Sequence, residues 1–183
     1  MQSWPAVALV FGHVLIGATF AAAALGKARD PDGFDQAAAA FRLIPPKRLR
    51  IVARLLMAVE LLIVALLAVG LLPAAGIAIT IGLGIAAALL IAYTVGLIAV
   101  RVRGMTVTCH CFGAGPAPVS WWDVVRNVLL VGGAALGMAA GNPESRLPVG
   151  DAILVVMLAL IAALIVTNLT NVVNTAVRVA GAE

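Results

Sequence analysis

Cys109-His110-Cys111-Phe112-Gly113 concentrates the reactive chemistry of this chain. It contains the only two cysteines and one of the two histidines. Gly104, Gly113, Gly115, Pro116 and Pro118 surround it, a density of helix breakers that predicts a loop. A Cys-x-Cys disulfide closes a small, strained ring, and strain makes such a bond easily reduced and suited to exchange. His110 between the thiols, and a helix N-terminus shortly after them, favour the thiolate. The spacing therefore predicts Cys109 and Cys111 as a redox-active pair with His110 assisting. Metal binding is the rival chemistry. Two thiolates and an imidazole suit Cu(I), or Zn(II) with a further ligand, so Cys109, His110 and Cys111 are also a candidate metal set. His13 lies in the first apolar run, at the other end of the scaffold, and reads as a packing residue.

The elements that must position this loop are apolar. Hydrophobic residues make up 63% of the 183 and charged residues 11%, against about 25% charged in soluble domains. Runs of this length and hydropathy are membrane spans. The expected fold is an all-α integral membrane protein in one domain, a bundle of about five transmembrane helices over 5–26, 51–72, 74–100, 121–140 and 149–176. The first run has no positive segment before it and exceeds a signal-peptide core in length, so it reads as a retained helix. Residues 35–43 read as a short amphipathic helix on the membrane surface, ended by Pro45-Pro46. Ser120-Trp121-Trp122-Asp123 has the form of a capping box that starts the fourth span. Gly133 and Gly137, later in that span, have the spacing of a close helix contact.

The net charge of +4 and pI near 9.8 do not indicate nucleic-acid binding, because no basic stripe interleaved with aromatics is present. With five spans, nearly every Lys and Arg falls on the side that carries the cysteine loop, and the other side has Arg146 alone. The positive-inside rule then places that loop in the cytoplasm, against the usual location of disulfide-forming chemistry outside it.

Glu60 is the most informative residue inside a span. Nine residues past Ile51, it lies about 14 Å deep, where a carboxylate must face the bundle interior with a partner. Arg126, at a comparable depth in the fourth span, is the expected partner, and Lys27 at the end of the first is the other candidate. Such a pair either stabilises the bundle or moves protons beside the thiols. The polar end of the last span, including Thr167, Asn168 and Asn171, reads as interfacial.

These residues together resemble the MauE/DoxX family of redox-associated membrane proteins over most of the chain. Leu25-Gly26-Lys27-Ala28, Asp30-Pro31 and Phe34 are similar to its first-helix ending. Arg54 to Glu60 before Leu61-Leu62 is similar to its second-helix acidic position, and Cys109–Gly113, Ser120 and Arg126-Asn127 to its cysteine loop and following helix. The resemblance implies a DoxX-like four-helix core plus a C-terminal helix, in the bacterial cytoplasmic membrane. It also implies thiol oxidation, reduction or isomerisation in a partner protein, with a thioredoxin-like protein, in maturation of methylamine dehydrogenase. The arrangement is similar as well to vitamin K epoxide reductase, whose reactive pair precedes its last helix. This chain lacks a second cysteine pair, so electrons would pass directly to a quinone or to another protein's thiols. A scaffold subunit without chemistry of its own is the third class consistent with the sequence.

Overall fold

The computed structural model of the chain describes residues 4–41, 45–70, 76–105, 107, 119–141, 147–169 and 172–173. Six helices form in order: α1 Trp4–Arg29, α2 Pro31–Ala40, α3 Pro46–Val69, α4 Gly76–Val102, α5 Trp121–Ala139 and α6 Val149–Thr167. All except α2 are long and apolar enough to cross a membrane. The protein is an all-α, multi-span membrane protein.

Two boundaries differ from the sequence expectation, both because of proline. α2 begins at Pro31 rather than near 35, and α3 begins at Pro46 rather than 51. Proline suits the first helical position, where its fixed φ is already helical and its missing N–H would have no helical acceptor. Asp30 caps α2, its Oδ1 accepting the Gly33 amide at 2.9 Å. Pro45-Pro46 therefore opens a helix instead of only closing one. At the other end of the chain α6 runs to Thr167, Val172 and Val173 are again helical with Val172 N bonding Asn168 O at 2.9 Å, and the expected end at 176 lies outside the described residues. The Thr167 hydroxyl donates to the Ala163 carbonyl at 2.7 Å and Asn168 Nδ2 to the Leu164 carbonyl at 2.9 Å, which the Asn168 amide also reaches at 3.2 Å.

Four helices make the core. α1, α3, α4 and α5 occupy the corners of a bundle in which each packs on the next and α5 returns to α1. α1 and α4 approach across one diagonal; α3 and α5, on the other, do not touch among the described residues. Leu15, Ile16 and Phe20 of α1 meet Ile63 and Leu67 of α3, Leu83, Ala86 and Leu90 of α4, and Leu130 and Ala134 of α5. α6 lies along the outside of α1, burying Ala159 and Ala163. α2 folds back on α3.

The α1–α5 contact is a backbone contact. A Cβ on Gly12 would stand 2.6 Å from the Gly133 carbonyl oxygen and 3.0 Å from the Gly137 Cα. The expected role of Gly133 and Gly137 is met, with Gly12 as their counterpart. In lipid, where no hydrophobic effect drives helices together, such an approach supplies the packing. Gly12→Ala is expected to lower the thermal stability of the detergent-solubilised protein by about 1–3 kcal/mol, the usual range for overpacking against backbone. Gly84→Ala, whose Cβ would meet only Met138 Sδ at 3.9 Å, should leave the melting temperature unchanged. Equal effects from the two would contradict this account of the contact.

Candidate functional site

Successive spans alternate in direction, so the end of α1, the starts of α3 and α5, and the end of α4 share one side of the bundle. Arg29, Lys47, Arg48, Arg50, Arg54, Arg101 and Arg103 are all exposed there. Two buried polar centres lie beneath them.

The first centre is at the base of the cysteine segment. α4 ends in a Schellman turn, with Met105 N bonding Val100 O at 3.2 Å and Gly104 N bonding Arg101 O at 3.1 Å. Gly104 adopts φ +65°, a conformation that suits glycine. Beyond it, the buried Val107 and Val119 are joined by a backbone hydrogen bond, Val119 N to Val107 O at 2.8 Å. The chain between them carries Cys109, His110 and Cys111, which lie outside the described residues. Its two ends are thus tied together at the mouth of α4 and α5. α5 then starts with Asp123 reaching back: its Oδ2 accepts from the Ser120 amide at 2.8 Å and from the Ser120 hydroxyl at 3.1 Å. Arg101 stacks on Trp121, 5.8 Å from the ring centre, joining the end of α4 to the start of α5.

Arg126 belongs to this first centre. Its Nη1 donates to Asp123 Oδ1 at 3.1 Å, one turn away, and both side chains are buried with Asn127 beside them. The expected Glu60–Arg126 pair does not form. Glu60 is on α3 and Arg126 on α5, at opposite corners of the bundle, and depth along a helix cannot bridge a diagonal.

Glu60 forms the second centre with its actual neighbours. The residue is 0% exposed. Oε1 accepts from Lys27 Nζ of α1 and, at 2.7 Å, from Tyr93 Oη of α4. One carboxylate oxygen therefore joins three of the four core helices. The Lys27 ammonium also lies over two rings, 5.1 Å from the centre of Phe34 on α2 and 5.7 Å from that of Tyr93. Glu60 Oε2 is buried without a hydrogen-bond partner among the described residues.

Sequence reasoning passed over Tyr93 and Phe34 as parts of this centre. Tyr93 is the one tyrosine in the chain, placed in a long apolar run. A buried phenol in such a run needs an acceptor, and the acidic side chain of the preceding span was available. His13 donates Nε2–H to Leu67 O at 2.7 Å, far from the cysteine side, as a packing residue. Among the described residues no three His, Cys, Asp or Glu side chains come together as a metal site.

The Lys27–Glu60 pair sets a measurable expectation. Removing one member of a buried pair leaves an uncompensated charge and costs about 3–5 kcal/mol, whereas replacing both by apolar residues is often close to neutral. Glu60→Leu alone should strongly destabilise the purified protein, and Lys27→Met with Glu60→Leu should recover most of the loss in a double-mutant cycle. Arg126→Met should show no such coupling to Glu60→Leu. Coupling to Arg126 of the same size as to Lys27 would overturn the assignment.

The model of a family described as methylamine utilisation protein MauE matches residues 5–140, from α1 through α5. The matched segment includes both polar centres and the cysteine segment, and α6 lies beyond it. The chain is also 37% identical over 141 residues to the methylamine utilization protein MauE of Paracoccus denitrificans, covering 73% of this chain and 69% of that protein. No solved structure matches it. On the strength of the family match, which spans every core helix and both polar centres, this chain belongs to the MauE family.

Proposed function

We propose that this MauE-family protein is a membrane thiol–disulfide exchanger in methylamine utilisation, using Cys109 and Cys111 on a thioredoxin-like partner during maturation of another protein. One observation carries the reading: both cysteines of the chain lie in the segment whose ends are clamped by Val107 and Val119 above a buried Asp123–Arg126 pair. The clamp fixes where the chain enters and leaves that segment, on the side that a soluble partner would meet.

The chemistry is a two-electron exchange. One thiolate attacks a sulfur of the partner's disulfide, forming a mixed disulfide and expelling the partner's other sulfur as thiolate. The second cysteine then attacks the mixed disulfide, closing the Cys109–Cys111 bond and releasing the partner's first sulfur. Two electrons pass from this protein to the partner, and protons from the attacking thiols end on the departing ones. Run in reverse, the same steps oxidise the partner, with a membrane quinone as the electron acceptor that restores the disulfide. His110 stabilises the thiolate, and Arg126, paired with Asp123, holds the start of α5 beside the cysteine segment. Glu60 acts as a positioning residue, holding α1, α3 and α4 in register beneath the loop. The basic side faces the cytoplasm of a bacterial inner membrane by the positive-inside rule.

Alkylation after acid quenching tests the chemistry. Purified protein taken through reductant and oxidised glutathione should gain and lose two maleimide adducts together, and Cys111→Ser should trap a mixed disulfide with a thioredoxin-like protein. Stoichiometric copper that disappears in the Cys109→Ser, Cys111→Ser variant, with no reversible disulfide in the wild type, would replace this reading with metal handling. Sidedness has its own test. A membrane-impermeant maleimide on reduced, intact spheroplasts should leave both cysteines unlabelled and should label them after lysis; prompt labelling from outside would reverse the orientation.

A further inference from the structure

α2 and the first turns of α3 enclose a groove of about 560 Å³ on the basic side of the protein. α3 contributes Lys47, Leu49, Arg50 and Ile51 to its lining, and α2 contributes Asp35, Gln36 and Ala39. Among the described residues, neither cation forms an ion pair with Asp35, although all three face the same space. Both helices therefore present polar side chains to the groove. Its apolar residue Ile51 is 62% exposed, and one turn further along the same face Leu55 is 59% exposed. A cationic pair at the boundary, continuous with an apolar helix face running into the bilayer, matches the two halves of an amphiphile.

We propose that this groove binds the headgroup of an anionic glycerophospholipid bearing hydroxyls, with its acyl chains along Ile51 and Leu55. Lys47 and Arg50 take the phosphate. Asp35, which opposes a bare phosphate, accepts a headgroup hydroxyl with Gln36 beside it. The occupant is a lipid rather than free phosphate because the cations lead directly onto exposed apolar surface. Bound there, the lipid joins α2 to α3, and α2 carries the Phe34 ring that covers Lys27. The site is independent of the thiol chemistry proposed above.

The test is native mass spectrometry of delipidated full-length protein titrated with phosphatidylglycerol, phosphatidic acid or phosphatidylcholine. Wild type should retain phosphatidylglycerol in preference to the other two. Each surface cation contributes about a factor of five to anionic-lipid attraction, so Lys47→Gln with Arg50→Gln should weaken retention about 25-fold. Arg29→Gln with Arg103→Gln, exposed cations outside the groove, should change it little. Asp35→Asn should abolish the preference for phosphatidylglycerol over phosphatidic acid. Unchanged melting temperatures will show that each variant is folded. Equal losses from the two double variants would overturn the proposal in favour of diffuse attraction to the basic side. So would displacement of the lipid by inorganic phosphate at millimolar concentration, or wild-type retention that ignores the headgroup.

Discussion

A lysine and a glutamate buried together between apolar helices govern this structure. Neither Lys27 nor Glu60 can stay charged alone in a bilayer-spanning bundle, and each satisfies the other. Because Tyr93 shares the same carboxylate oxygen, the contact fixes three helices relative to one another. Dispersion between Leu, Ile and Ala surfaces is strong in sum but tolerant of sliding. A polar contact buried in lipid is not, since any slip strands a charge. The Lys27–Glu60–Tyr93 centre therefore sets register, and the glycine contact between α1 and α5 sets distance.

The remaining architecture follows from that register. α1 ends two residues beyond Lys27, while Glu60 lies 14 residues past the start of α3 (60 − 46), about 21 Å along it. The first half of α3 thus extends past the end of α1, and α2 turns back to cover it. Phe34 of α2 closes over the Lys27 ammonium. On the other side of the bundle, Asp123 does two jobs. It caps α5 and neutralises Arg126, so that a second charge pair is buried within one helix. These two centres support the side of the protein from which the cysteine segment emerges.

Much of this was legible in the residues. Five spans follow from apolar runs longer than 18 residues, and the small-residue spacing of Gly133 and Gly137 correctly marked a close helix contact. Glu60 announced itself as a buried carboxylate in need of a cation. Its partner was not legible, because counting residues gives depth along a helix but not which helices are neighbours. By that count Arg126 lay within its span and Lys27 at the end of its own, and only the corner arrangement of α1, α3, α4 and α5 shows which of them meets Glu60. Helix starts at Pro31 and Pro46 were misplaced for a local reason: proline both ends and begins helices, and the side of the break that stays helical depends on tertiary packing. Tyr93 went unnoticed because hydropathy patterns treat a tyrosine in an apolar run as filler.

The family match runs from the first core helix to the last and takes in both cysteines. What the cysteines do is the central claim, and their redox equilibrium tests it most directly. Protein equilibrated over a series of reduced-to-oxidised glutathione ratios, acid-quenched and alkylated, should pass between dithiol and intramolecular disulfide in one two-electron transition. Because a Cys-x-Cys disulfide closes a strained ring, the proposal predicts a midpoint more oxidising than that of structural disulfides. A pair that forms no intramolecular disulfide at any ratio would contradict the account.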